Sequence, residues 1–208
     1  MYEILKETVC QYLSVPEFKT KWEDDQKKGA GFFYALTYPF ILRFFQEHKP
    51  LSEALELKVA LVFSWNPTIC KLTTEGFERA RSELERLESF AQQELRTRTI
   101  LDVDLETAIN KLWEPITNAT SMGRSNSGVS VTKFLHFSFP DIFPMIDSKT
   151  MRSLAQSSVN RGSYRRFLLA WKEVYECSRT VFDQISDAMN MPVARVLDVV
   201  IFTPGGEG

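Results

Sequence analysis

The stretch "VTKFLHFSFPDIFPMIDSKTMRSL", Val131 to Leu154, decides how this chain is read. Its first half is crowded with apolar residues. Pro140 and Pro144 border a short turn segment, and Asp147 stands immediately before Ser148-Lys149-Thr150. The two prolines keep Ile142–Ile146 from being an ordinary central strand. An aspartate ahead of such a run is a good helix N-cap, usually worth about 1 kcal/mol. It is equally a carboxylate that a proline-bordered turn could aim into a cleft. Both readings stay open at this level, and the function of the chain turns on them.

On either side of this stretch the apolar spacing is helical. Upstream, "TNATSMGRSNSG" is a loop rich in Ser, Asn and Gly, and it leads into a helix over about Val129–Phe137. Downstream, helices are predicted over about Ser148–Ser158, Tyr164–Gln184 and "MPVARVLDVVIFT". Towards the N-terminus, Tyr2–Leu13 and about Glu17–Lys28 read as helices, with Pro16 placed to open the second. A third passes through Pro39 with a kink, and a fourth has Ser52 as cap candidate. One long amphipathic helix is predicted from Thr73 or Thr74 to about Arg98. "DVDLETAINKLWEPI" makes another, capped by Asp104 and broken or bent at Pro115. The expected fold class is therefore all-α: a single helical domain over 1–208, with two lobes around a cleft as one arrangement the length allows.

The totals restrict function less than the distribution does. An apolar fraction of 44% and a charged fraction of 25% are ordinary for a globular protein, while sixteen Phe predict an aromatic-rich core. Cys10, Cys70 and Cys177 form no CxxC pattern, and His48 and His136 are the only histidines, so neither a metal site nor a metal or redox cofactor is expected. The N-terminal segment suits a first helix rather than a leader, and the longest apolar stretch carries Pro39 and ends at Arg43. The expectation is a cytoplasmic monomer with no membrane partner. Net charge is −2, yet from Ser121 to Lys172 eight basic residues face only Asp141 and Asp147. Such asymmetry points either to an anionic partner, DNA, or to a helical face whose basic side chains simply meet water.

Within this basic region, "GVSVTK", Gly128–Lys133, and "FPMIDSKTMR", Phe143–Arg152, resemble the core of the helix-hairpin-helix DNA glycosylase superfamily. Its hairpin reads roughly "PGVGxKTA", and a later segment ends "VPVDxHVxR" just before a helix. The resemblance covers about 30 residues of the 208. It implies a two-lobed helical fold that binds DNA, flips a nucleotide and cleaves an N-glycosidic bond. It also implies a catalytic carboxylate at Asp147 and, in members that form a Schiff base, a nucleophilic lysine. Here Ser130 replaces the second hairpin glycine, and the hairpin-to-aspartate spacing is about four residues short. The family's lysine falls nearest Thr132, one position before Lys133. A shift of one residue turns a helical side chain by ~100°, so Lys133 joins such a site only if the helix is locally realigned.

Each candidate residue has a chemical reason. Base loss builds positive charge at C1′, which a carboxylate stabilises. An extruded base needs apolar or aromatic walls. Trp65, Trp113, Phe137 and Phe139 are candidates, with His136 beside them; the bland reading of each is core. Arg124, Ser127, Gly128 and Ser130 would hold one phosphate at the hairpin, while Lys149, Arg152, Arg161, Arg165 and Arg166 would follow the backbone. Lys133 reads as nucleophile or as surface lysine, His136 as packed histidine or general base, and Asp198 as a salt-bridge partner. The expected reaction is removal of a damaged or hypermodified base, phage DNA included, to leave an abasic site. The alternative is a non-catalytic helical module binding nucleic acid or protein.

Overall fold

A computed structural model describes residues 1–10, 14–26, 30–65, 74–120 and 127–201; the side chains of residues 25, 30–34 and 127 lie outside the description. Among the described residues the protein is all-helical, with no strand. The elements are α1 (Tyr2–Cys10), α2 (Val15–Gln26), α3 (Ala30–Glu47), α4 (Leu55–Ser64), α5 (Thr74–Arg86), α6 (Glu88–Glu94), α7 (Leu105–Thr120), α8 (Ser127–Ser138), α9 (Ser148–Ser153), α10 (Arg161–Met189) and α11 (Val193–Ile201). No described helix is long and apolar enough to cross a membrane.

Helix α8 is the centre of the packing. It touches α3, α4 and α7, and α10 touches α1, α2, α7 and α11. From Gly128 to Ser138 every side-chain position of α8 is buried except Lys133. A helix apolar nearly all round belongs inside a core, and here Val131, Phe134, Leu135 and Phe137 fill it. Phe45 of α3 meets Phe134 edge-on at 5.5 Å, and Trp65 meets Phe137 edge-on at 5.4 Å; such tilted pairs suit the ring quadrupoles.

Several boundaries differ from the sequence expectation. The predicted long helix after Thr74 is two helices, interrupted at Leu87. Glu88 turns inward there, accepting the Leu51 N–H at 2.8 Å and the Arg96 guanidinium at 2.9 Å, so a charge assigned to the solvated face serves instead as a cross-link. Ser52 does not cap α4; the N-cap is Ala54 in the left-handed region, with no side-chain cap. Pro115 does not break α7, which continues to Thr120. Proline there removes one backbone donor, but Ile116, Ala119 and Thr120 beyond it are fully buried, and their packing outweighs the missing bond. Asp104 caps α7 as expected, accepting the Thr107 N–H at 3.1 Å. The segment 142–146 is neither helix nor strand, yet it is buried throughout.

Candidate active site

Phe143 to Asp147 is an irregular segment that cannot satisfy its own backbone, so other side chains must do so. Three helices supply them. Residue 143 is held by His136 of α8, whose Nδ1 lies 2.8 Å from the Phe143 carbonyl. A carbonyl only accepts, so Nδ1 carries the proton and Nε2 accepts from the Tyr38 hydroxyl at 2.8 Å. The Tyr164 hydroxyl of α10 donates to the Pro144 carbonyl at 2.7 Å. The Met145 amide faces the Asp198 carboxylate of α11, although neither oxygen of Asp198 has a hydrogen bond of normal geometry. Thr132 of α8 accepts the Ile146 N–H at 3.3 Å and donates to the Ile146 or the Val129 carbonyl, at 3.1 and 3.0 Å. Asp147 then caps α9, its Oδ1 accepting the Thr150 N–H at 2.6 Å. The aspartate is thus delivered by a segment fixed peptide by peptide.

Lys133 stands next in α8 after Thr132. It is half-buried, and its ammonium donates to the carbonyl of Trp65, the C-cap of α4. Helix ends leave carbonyls without intrahelical partners, and this one serves as the seat of the amine. Burial pulls the Lys133 amine down to about 8, and the Asp147 carboxylate is near enough to oppose that pull. Thr132 turns inward to hold the segment, while Lys133, the next residue, is seated on the Trp65 carbonyl with the charge of Asp147 acting on it.

The other candidates sort by burial. His136 and Phe137 are fully buried, so these two are core residues rather than walls of an open pocket, while Phe139 is nearly buried and borders a recess beside Asp141. His136 is moreover held neutral: burial and then Arg195 lower it to about 3, against the Phe143 bond, and both ring nitrogens are already hydrogen-bonded inside the core. Trp65 is likewise buried, contributing its backbone carbonyl rather than its ring. Trp113 is half-buried on α7, its ring 5.7 Å from Tyr164. Among the basic residues, Lys149, Arg152, Arg161 and Arg166 are exposed, with Arg166 donating to Gln156 at 2.7 Å. Arg165 is engaged by Glu106 at 2.5 Å, so its charge is partly neutralised. Arg124 and the Ser127 side chain lie outside the described residues. Ser130 is fully buried, so its hydroxyl is not presented to a phosphate. Gly128 has a packing reason: a Cβ there would stand 2.0 Å from the Val159 carbonyl oxygen. The start of α8 is thereby held against the residue that precedes the Asn160 cap of α10.

A separate recess of about 230 Å³ lies among Leu42, Lys49, Arg96, Arg98, Phe139 and Asp141. The C-terminal ends of α3, α6 and α8 border it, and basic residues beside helix C-termini complement the helix dipole. Arg96 donates to the Lys49 carbonyl and to Glu88, and Arg98 pairs with Glu94 at 3.7 Å, so both arginines already have structural partners. Among the described residues no group of His, Cys, Asp and Glu could hold a metal.

Thr132, Tyr164, Tyr38, Arg195 and Asp198 were not recognised from sequence as parts of this site. The only available signal was polar atoms at helix positions whose spacing places them inward. The chain matches no protein-family model, no curated protein and no solved structure at a significant level. The chemistry must therefore be argued from the residues themselves.

Proposed function

We propose that the protein is a DNA glycosylase-like enzyme that excises a modified base, with Asp147 and Lys133 as catalytic residues. What supports this reading is a half-buried lysine lowered to about 8 and seated on the Trp65 carbonyl, within the electrostatic reach of an aspartate fixed by its own cap. Near pH 8 about half of such an amine is neutral, the form that attacks carbon. As the C1′–N bond breaks, the base leaves with the bonding electron pair. Asp147 then faces the positive charge on the sugar. Attack by Lys133 on C1′ forms a C–N bond, and the amine loses a proton as the sugar opens to an imine. Attack by water gives the abasic site directly. The exposed Lys149, Arg152, Arg161 and Arg166 offer charge for the flanking phosphates.

A second reading, a non-catalytic helical module that binds nucleic acid or protein, draws on the net charge of −2 and on Arg165 being occupied by Glu106. One experiment separates the two. The protein is incubated with genomic DNAs of differing base modification, phage DNAs among them, and scored for abasic sites and for borohydride-trapped adducts. Asp147→Asn is expected to lower abasic-site formation at least about a hundredfold, the lower range for such groups, with DNA binding retained. Lys133→Gln is expected to remove the adduct. An Asp147→Asn protein as active as wild type refutes the assignment, and salt-sensitive DNA binding with no base release from any DNA favours the second reading.

A further inference from the structure

Arg195, in the first turn of α11, is buried, yet its Nε has no hydrogen-bond partner. Its guanidinium lies instead against three aromatic rings from three helical segments: Tyr38 of α3 at 4.6 Å, Trp22 of α2 at 5.6 Å and Trp65 at the end of α4 at 5.9 Å. A flat cation among ring faces is held by their quadrupoles. Asp198, one turn on, approaches Nη1 only to 3.8 Å, beyond hydrogen-bond reach. That ion pair is loose, and it is the ring contacts that tie Arg195 to Trp65.

Trp65 links this cage to the site. Its indole N–H donates to the Thr37 hydroxyl at 2.8 Å, and its ring rests on Tyr38 and Phe137. Its carbonyl receives the Lys133 ammonium. Whatever fixes the Trp65 ring also fixes that carbonyl, and with it the place of the amine. We infer that Arg195 is a positioning residue for Lys133, acting through Trp65. The inference rests on reading Lys133 as the functional amine. The route is packing rather than charge: burial and Asp147 are the influences on Lys133, and Arg195 is not among them. The titratable groups around Arg195 itself are Asp198, Tyr38 and His136.

The test uses the full chain without DNA. Lysine labelled with ¹³C at Cε is incorporated biosynthetically, and the Lys133 resonance is assigned with Lys133→Gln and followed from pH 6 to 11. Lys58, also buried and near 8, is the internal reference. In Arg195→Met the Lys133 midpoint is expected to rise by about one unit or more. That lowers its neutral fraction at pH 8 about fivefold, while Lys58 stays within about 0.3 unit. Arg195→Lys keeps the charge but not the flat face and gives a smaller rise in the same direction. It carries the test alone if Arg195→Met does not fold. A Lys133 midpoint unmoved in a folded variant overturns the inference, as does a joint movement of Lys133 and Lys58, which marks general loosening. Loss of the DNA adduct reading would leave these titrations standing, and unmoved titrations alongside a trapped adduct would refute only the role of Arg195.

Discussion

Two lysines in this protein are alike in chemistry and opposite in circumstance. Lys58 on α4 and Lys133 on α8 each donate to a backbone carbonyl, Pro50 and Trp65 respectively, and burial lowers each to about 8. Lys58 is only 1% exposed, with its ammonium over the Phe45 ring and Arg96 as the next influence on it. Lys133 is the one residue of its helix, from Gly128 on, that reaches the surface, and the charge acting on it is a carboxylate. The contrast shows that a depressed amine is not by itself a site. A residue that reaches the surface and a neighbouring carboxylate distinguish Lys133 from Lys58.

The sharpest way to break the comparison is to remove each amine. Lys133→Met is expected to abolish the borohydride adduct in a protein that still folds, read by circular dichroism and denaturant midpoint. Lys58→Met is expected to leave activity per folded molecule unchanged and to alter stability, read by denaturant midpoint. Loss of activity in a folded Lys58→Met protein would erase the distinction.

A second, smaller effect lies in the pH dependence of stability. For a lysine whose folded value is lowered, the unfolded chain binds more protons between the two values, so stability rises with pH from about 8 to about 10.5. For Lys58 the full span corresponds to about 3 kcal/mol. The rise from pH 8 to 10.5 should therefore be smaller in Lys58→Met than in wild type, by an amount measurable in urea titrations. An identical rise in both proteins would mean that Lys58 is not desolvated as described.

The third prediction concerns the neighbour of Lys133. Thr132→Val keeps the shape but removes the hydroxyl that accepts the Ile146 N–H. Leaving a buried donor unpaired costs about 1–3 kcal/mol. The variant should lose stability in that range and also lose activity, because the segment carrying Asp147 loses its last tie before the cap. Activity retained at the wild-type level would detach Asp147's position from Thr132. The smallest expected change is at Ala155, whose φ of 59° is left-handed just after α9. Ala155→Gly should stabilise by about 1 kcal/mol, with no effect on either lysine.

These contrasts also show where the sequence is transparent. The helices were legible because burial at three- and four-residue spacing leaves a local pattern, and the Asp147 cap because caps are local too. Motif order set Lys133 and Asp147 in one stretch, but nothing in that order announced that Thr132 would turn inward to hold Ile146. The seat of the amine was not legible: Trp65 is 68 residues from Lys133 along the chain, and nothing local to either names the other. The same holds for Arg195, whose cage draws on residues 22, 38 and 65. Phe137 and His136 misled because an aromatic that lines a cleft and one that fills a core look identical in one dimension. The break at Leu87 was hidden because Glu88 has the character of a solvated face but answers a distant amide, that of Leu51.

The close approach of Gly128 to the Val159 carbonyl has a bearing on how this chain can vary. No methyl group fits between them, so Gly128→Ala would have to push the entry of α8 away from the cap of α10. In a saturation library this position should be as intolerant as any buried phenylalanine, although it contributes no side chain at all. A designer grafting new specificity onto the protein should diversify around that glycine and leave it in place.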